Sequence, residues 1–296
     1  MTDAFSRYHP LVNFLYFALV LGFSMTLMHP VCLLVSLVCA LLYAVHLKGR
    51  RAVRFTVFVC LPTLLLAAVV NPAFNHAGMT ILAYLPNGNP FTLESVLYGL
   101  AAGILLCAVL LWFTCFNEVI TSDKFVYLFG RILPSLSLVL SMTLRFIPRF
   151  KAQMDTVSQA QRGIGQGVSS DGVLGRLRKA VTVFSVTVTW ALENAIETAD
   201  SMKSRGYGLK GRTAFSVYRM EERDKAMLLW LGFCGLYLIC GSLSGGLRWW
   251  YFPILQGSGT EVFPVSFYLV YSALCMTPLM IDRKEEAAWH LSVSKI

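Results

Sequence analysis

Apolar residues fall along this chain in six runs, Leu11–Met28, Val31–Leu47, Val53–Val70, Leu93–Phe116, Ala226–Leu243 and Val265–Ile281. A helix needs roughly 17–25 apolar residues to cross a bilayer core, so each run reads as a transmembrane helix. The pattern changes between the fourth and fifth runs. From Pro134, the residues Leu136, Leu140, Leu144, Ile147, Phe150, Met154 and Val157 recur every three or four positions, one stripe of a helix. Pro134 suits the first turn. Pro148 is expected to kink or interrupt the helix, and Arg145 and Arg149 fall off the stripe. A second stripe follows at Leu174, Leu177, Val181, Phe184, Val188, Ala191, Ala195 and Met202, with Arg176, Lys179, Glu193, Glu197, Asp200 and Lys203 on other faces. A shorter amphipathic helix over 123–133 precedes both. The pattern predicts an all-α integral membrane protein of about six transmembrane helices plus long amphipathic helices on the cytoplasmic side.

Charge orients this arrangement. Lys48, Arg50, Arg51 and Arg54 crowd the link between spans two and three, and no Lys or Arg occurs from Phe55 to Asp123. That uncharged stretch holds the loop Asn71–Thr92 with its Asn87-Gly88 turn signal. Placing basic loops inside puts both termini in the cytoplasm without conflict at any loop. Three regions result: a four-span bundle over 1–116, a cytoplasmic-side segment over 117–225, and two spans with a short tail over 226–296. The middle segment has sixteen basic and ten acidic side chains, so +6 of the chain's net +9 lies there.

Composition agrees. The chain is 56% hydrophobic and 14% charged, against about 45–50% and about 25% for soluble domains. In such a chain the positive balance points to cytoplasmic loops and not to nucleic acid. The first apolar run lacks a small-residue cleavage site and reads as a retained helix. The eight cysteines sit in apolar runs without CxxC pairs or zinc spacing, and read as packing residues. No G-x-x-x-x-G-K-[ST] motif occurs, so energy is expected from a partner or a gradient. His9, His29, His46, His76 and His290 are scattered near span ends or loops and read as interfacial or solvated. Glu94 reads as water-exposed. Gly99, Ala102 and Gly103 offer a close-packing face on span four. No cofactor site emerges. A membrane-embedded enzyme, or a scaffold on the lipid surface carried by the basic helices, remains an alternative.

Each long amphipathic helix is expected to end alike. The first closes with Gln161-Arg162-Gly163, then Gly165 and Gly167; the second closes with Ser204-Arg205-Gly206-Tyr207-Gly208. One reading is two ordinary helix stops, glycine past the end and arginine against the negative end of the helix dipole. The other is a pair of arginine anchors for a soluble acidic partner, since the guanidinium fork suits a buried carboxylate better than lysine does.

These residues carry a resemblance. The chain resembles the transmembrane T component of energy-coupling factor (ECF) transporters, the bacterial vitamin and micronutrient importers, whose signature is two Xaa-Arg-Xaa motifs ending two long coupling helices. The matches are Gln161-Arg162-Gly163 and Ser204-Arg205-Gly206, with the context Ala199–Gly208 and the opening His9-Pro10-Leu11-Val12. Gln161 departs from the alanine usual there. The resemblance implies a coupling subunit in the bacterial cell membrane. Its partners would be two ECF ATPase subunits, a membrane S component that captures the substrate, and the lipid bilayer. Gln161, Arg162, Gly163, Ser204, Arg205 and Gly206 would form the ATPase contacts. It implies no catalysis by this chain.

Overall fold

The computed structural model describes residues 3–84, 90–130, 134–164, 172–207, 218–257 and 262–293. In chain order, a 3-10 turn (Phe5–Arg7) leads into α1 (Pro10–Thr26) and α2 (Pro30–Lys48). Next come α3 (Arg50–Phe55), a π turn (Thr56–Cys60), α4 (Leu61–Phe74), and the strands β1 (Ile81–Tyr84) and β2 (Pro90–Thr92). Helices α5 (Leu93–Val119), α6 (Ser122–Gly130), α7 (Pro134–Gly163), α8 (Val173–Ser204) and α9 (Glu222–Leu243) follow. The two-residue strands β3 (Trp249–Trp250) and β4 (Gln256–Gly257) precede α10 (Val262–Val293). The chain divides into two compact units, Met1–Thr121 with Tyr218–Ile296, and Ser122–Val217.

The first unit is an all-α multi-pass membrane bundle. The helices α2, α3–α4, α5, α9 and α10 are each long and apolar enough to span a bilayer. The apolar helix α1, of 17 residues, sits at the lower edge of the spanning range. The third span is one continuous helical path with a single wide turn. Leu61 donates its N–H to the Thr56 carbonyl, five residues back. Pro62 follows at once, and its missing donor is the local cause of the altered ladder. Between α4 and α5 the predicted loop contains an antiparallel hairpin, with Ala83 opposite Phe91 and Tyr84 opposite Pro90. The Asn87-Gly88 turn lies outside the described residues.

Two His-Pro pairs start the first two helices. Proline at the first helical position has no N–H to lose. The preceding histidine therefore caps the next one: His9 Nδ1 accepts from Leu11 N–H and His29 Nδ1 from Val31 N–H, each at 3.3 Å. Both rings are buried, which corrects their reading as solvated groups. With its Nδ1 accepting, His29 carries its proton on Nε2 and donates to the Tyr268 hydroxyl at 2.9 Å.

A polar network runs through the interior. Ser24 Oγ lies 2.7 Å from Ser36 Oγ and 2.9 Å from the Tyr271 hydroxyl, and Trp112 Nε1–H donates to Ser36 Oγ at 3.0 Å. This joins α1, α2, α5 and α10. Tyr16, Phe17, Tyr43 and Trp112 pack around it, with ring centroids 5.2–6.4 Å apart. Lipid tails are as apolar as leucine, so such contacts and close packing hold the bundle more than a hydrophobic drive does. The expected glycine face is used in that way. A Cβ on Gly99 would lie 2.8 Å from the Ala67 carbonyl oxygen, and one on Gly103 would lie 3.1 Å from Leu64 Cα. Helices α4 and α5 therefore meet backbone to backbone.

Charged groups tie one end of this bundle together. Asp282 Oδ1 accepts from Ala4 N–H at 2.8 Å and Phe5 N–H at 3.3 Å, and Oδ2 lies 3.7 Å from His46 Nε2. Asp224 caps α9 through Glu221 N–H (2.9 Å) and also accepts from His9 N–H (3.1 Å). Lys48 pairs with Glu118 at 3.2 Å. Glu94 belongs to the hairpin end and corrects a second expectation. It is only 2% exposed, and accepts from Thr80 N–H at 3.1 Å and Thr80 Oγ1 at 2.6 Å. The hairpin covers it, so it anchors the loop and does not face water.

Candidate functional site

The second unit presents both arginine motifs. Helix α7 starts at Pro134 and runs 30 residues to Gly163. Pro148 lies inside it without interrupting it. Helix α8 runs 32 residues, from Val173 to Ser204. The two meet through Phe150 and Trp190, with centroids 6.0 Å apart, and through Arg149 Nη1, which donates to Asn194 Oδ1 at 3.4 Å. The Arg149 guanidinium also stands 5.7 Å from the Trp190 ring centre.

The apolar stripe of α8 is not what α7 covers. Val183 and Thr187 are its buried residues, whereas Leu174 and Leu177 are 82% and 62% exposed. Val181, Phe184, Leu192 and Ile196 are exposed as well. Among the described residues of the second unit this stripe is left uncovered.

Contacts between α7 and α8 run in opposite directions along the two helices. Residues 142–149 of α7 line a common groove with residues 194–205 of α8. Arg162 therefore lies beyond the contact in one direction, and Arg205 stands at its opposite end. At 1.5 Å per residue, the 13 positions from Arg149 to Arg162 and the 11 from Asn194 to Arg205 amount to about 36 Å of helix between the two tips. Both arginines are exposed.

The two ends are built differently, which corrects the expectation of a shared ending. At the second, Gly206 has φ +76°. Its N–H donates to the Lys203 carbonyl, and Tyr207 N–H donates to the Met202 carbonyl, both at 3.0 Å. This is a Schellman cap, with Arg205 as the last half-helical residue and glycine in the left-handed position. Ser204 Oγ donates back to the Ser201 carbonyl at 2.8 Å. At the first end, Gly163 is the last residue of α7. It is not among the described glycines of positive φ, and nothing lies within 4 Å of where its Cβ would be. The backbone of α7 has no need of glycine there. Arg162 occupies the last turn, and Gln161 is half-buried beside it. Gly165, Gly167 and Gly208 lie outside the described residues.

Among the described residues there is no group of three or more metal-ligating side chains. All eight cysteines are free thiols, and seven are buried. What the tips offer is two exposed, permanently charged guanidinium forks on rigid rods, each followed by glycine.

Comparison with known proteins gives this arrangement a context. Residues 6–215 match the family model described as CbiQ, cobalt transport protein. The energy-coupling factor transporter transmembrane protein EcfT of Exiguobacterium sibiricum is 30% identical over 105 residues, 35% of this chain and 40% of that protein. The corresponding EcfT 1 of Listeria monocytogenes is 28% identical over 176 residues, 54% of this chain and 64% of its own length. The EcfT of Lactobacillus helveticus is 31% identical over 106 residues, 35% and 38% of the respective chains. The chain thus spans between 38% and 64% of the length of these relatives.

Proposed function

This chain belongs to the CbiQ family of cobalt transport proteins, and from that premise we propose that it is the membrane coupling subunit of an ATP-driven importer of the energy-coupling factor type. Two cytoplasmic ATPases power it, and a separate membrane S component carries the vitamin or micronutrient. The observation that carries this reading is the pair of helix ends. Arg162 stands exposed beyond one side of the α7–α8 contact, and Arg205 stands exposed at its other end. One is followed by a glycine that its own helix does not require. A partner surface pressed against the tip gives Gly163 a reason, since only a missing side chain allows close approach.

In this mechanism Arg162 and Arg205 each enter a groove on one ATPase. Gln161, Gly163, Ser204 and Gly206 flank the contacts. A guanidinium paired with a carboxylate makes charge-assisted hydrogen bonds worth about 1.5–3 kcal/mol each. That strength lets the anchors move with the ATPases when ATP closes them. Trp190, Phe150 and Arg149 fix α7 to α8, so displacement of either tip is passed along the hairpin. The exposed stripe at Leu174, Leu177, Val181 and Phe184 faces the S component. Basic residues after α2 and in the second unit are cytoplasmic, as are both termini.

The test is co-purification of the tagged chain with its ATPase pair, comparing wild type with Arg162→Glu/Arg205→Glu. Recovery of the ATPases with wild type and their loss from a double variant of unchanged helicity supports coupling. Equal recovery with both forms makes the tips plain helix ends and removes the reading.

A further inference from the structure

The groove between α7 and α8 reaches from Arg149 to the Arg205 tip, and it holds an arginine and an apolar surface that coupling does not use. Arg145, Arg149 and Arg205 line it with Glu197, a net charge of +2 among the lining residues, and Met142, Phe146 and Met202 line it with them. We propose that this groove binds the headgroup of an anionic phospholipid, with its phosphate on the arginines and the start of an acyl chain on the Met-Phe-Met surface. Three observations select that occupant. The first is charge: arginine forks match a phosphate's oxygens and hold them by two parallel N–H bonds. The second is preorganisation. Arg149 is already held by Trp190 at 5.7 Å and by Asn194 at 3.4 Å, so less side-chain freedom is lost on binding.

The third observation is amphipathicity. The cavity volume is about 630 Å³, within the roughly 300–1,000 Å³ of small-molecule sites and far larger than one phosphate ion. Two thioethers and a phenyl ring offer nothing to a hydrated ion, but they suit an acyl chain. The chain is a multi-pass membrane protein, so phospholipid is always among its surroundings. The inference is separable from the ATPase reading, because its test reads lipid retention and leaves Arg162 and Arg205 unchanged.

The experiment is native mass spectrometry of the full chain in detergent, titrated with phosphatidylglycerol and, separately, phosphatidylcholine. Wild type is compared with Arg145→Gln/Arg149→Gln and with Arg50→Gln/Arg51→Gln, which removes equal charge from α3. The expected result is preferential retention of phosphatidylglycerol, reduced about five- to tenfold in the groove variant and within about twofold of wild type in the α3 variant. Equal loss in both variants, or loss in neither, overturns the proposal. So does complete displacement by millimolar inorganic phosphate, which assigns the site to a free ion, or by an acidic peptide. If the groove variant loses its helical circular dichroism, wild type is labelled with a photoactivatable phosphatidylglycerol. Cross-links at Met142, Phe146 or Met202 uphold the site, and cross-links confined to other residues sink it.

Discussion

The contrast between Gly163 and Gly206 permits a sharp experiment, the parallel substitutions Gly163→Ala and Gly206→Ala. Gly163 ends α7 outside the left-handed region and with open space where a Cβ would go. Alanine there relieves a helix penalty of about 0.5–1 kcal/mol, less at a fraying end, so α7 should be as stable as before or more so. Gly206 sits at φ +76°, where a Cβ meets the following carbonyl at a cost of about 1–2 kcal/mol. The two 3.0 Å cap bonds from Gly206 and Tyr207 should open correspondingly. Amide exchange at residues 206 and 207 should accelerate about five- to thirtyfold in Gly206→Ala, while exchange at the end of α7 does not rise in Gly163→Ala. Binding should rank the other way. If an ATPase surface closes on Gly163, the added methyl is overpacked, and affinity falls about fivefold or more in a variant whose own helix is intact. A titration of the purified ATPase pair against each variant reads this directly. Full ATPase affinity in Gly163→Ala would refute the close-approach argument. Equal exchange at both ends would refute the cap assignment.

Three further outcomes follow from the membrane unit. Ser36→Ala leaves Trp112 Nε1–H and Ser24 without their shared partner, and should lower thermal stability in detergent by about 0.6–1.7 kcal/mol; no change would mean that the network is redundant. Gly99→Leu forces a Cβ to 2.8 Å from the Ala67 carbonyl oxygen and should separate α4 from α5, read as lost cysteine cross-linking between those helices, whereas the same change at Gly22, where the space is open, should not. Burial holds the His9 imidazole below its ordinary 6.5, with Asp224 opposing, so the unfolded chain takes up a proton at higher pH than the folded one. Stability is then full above pH 6.5 and falls as the pH drops below it; His9→Asn, which keeps a cap acceptor that does not titrate, should flatten that slope in pH-dependent melting.

The apolar runs made the spans legible because their signal is additive: eighteen neighbouring residues agree, and no single contact decides them. Boundaries moved where one local group decides instead. Helix α9 begins at Glu222 and not at Ala226, because Glu221 and Asp224 cap each other. Helix α10 runs on through Arg283 and Lys284 to Val293, since charge ends a membrane span but not a helix. The histidine caps had a local signature, His-Pro twice at the head of an apolar run, but both were read as interfacial. Glu94 was not legible at all. Its burial depends on Thr80, fourteen residues back, carried over it by a hairpin that has no strong alternation of its own. The same distinction applies to the functional tips. Arg-Gly spells both a helix stop and a protein anchor, and only the backbone angle separates them. At Gly206 the left-handed turn accounts for the glycine without any partner. At Gly163 it does not, so the argument for a partner rests more heavily on the first motif, which departs most from the family's usual letters.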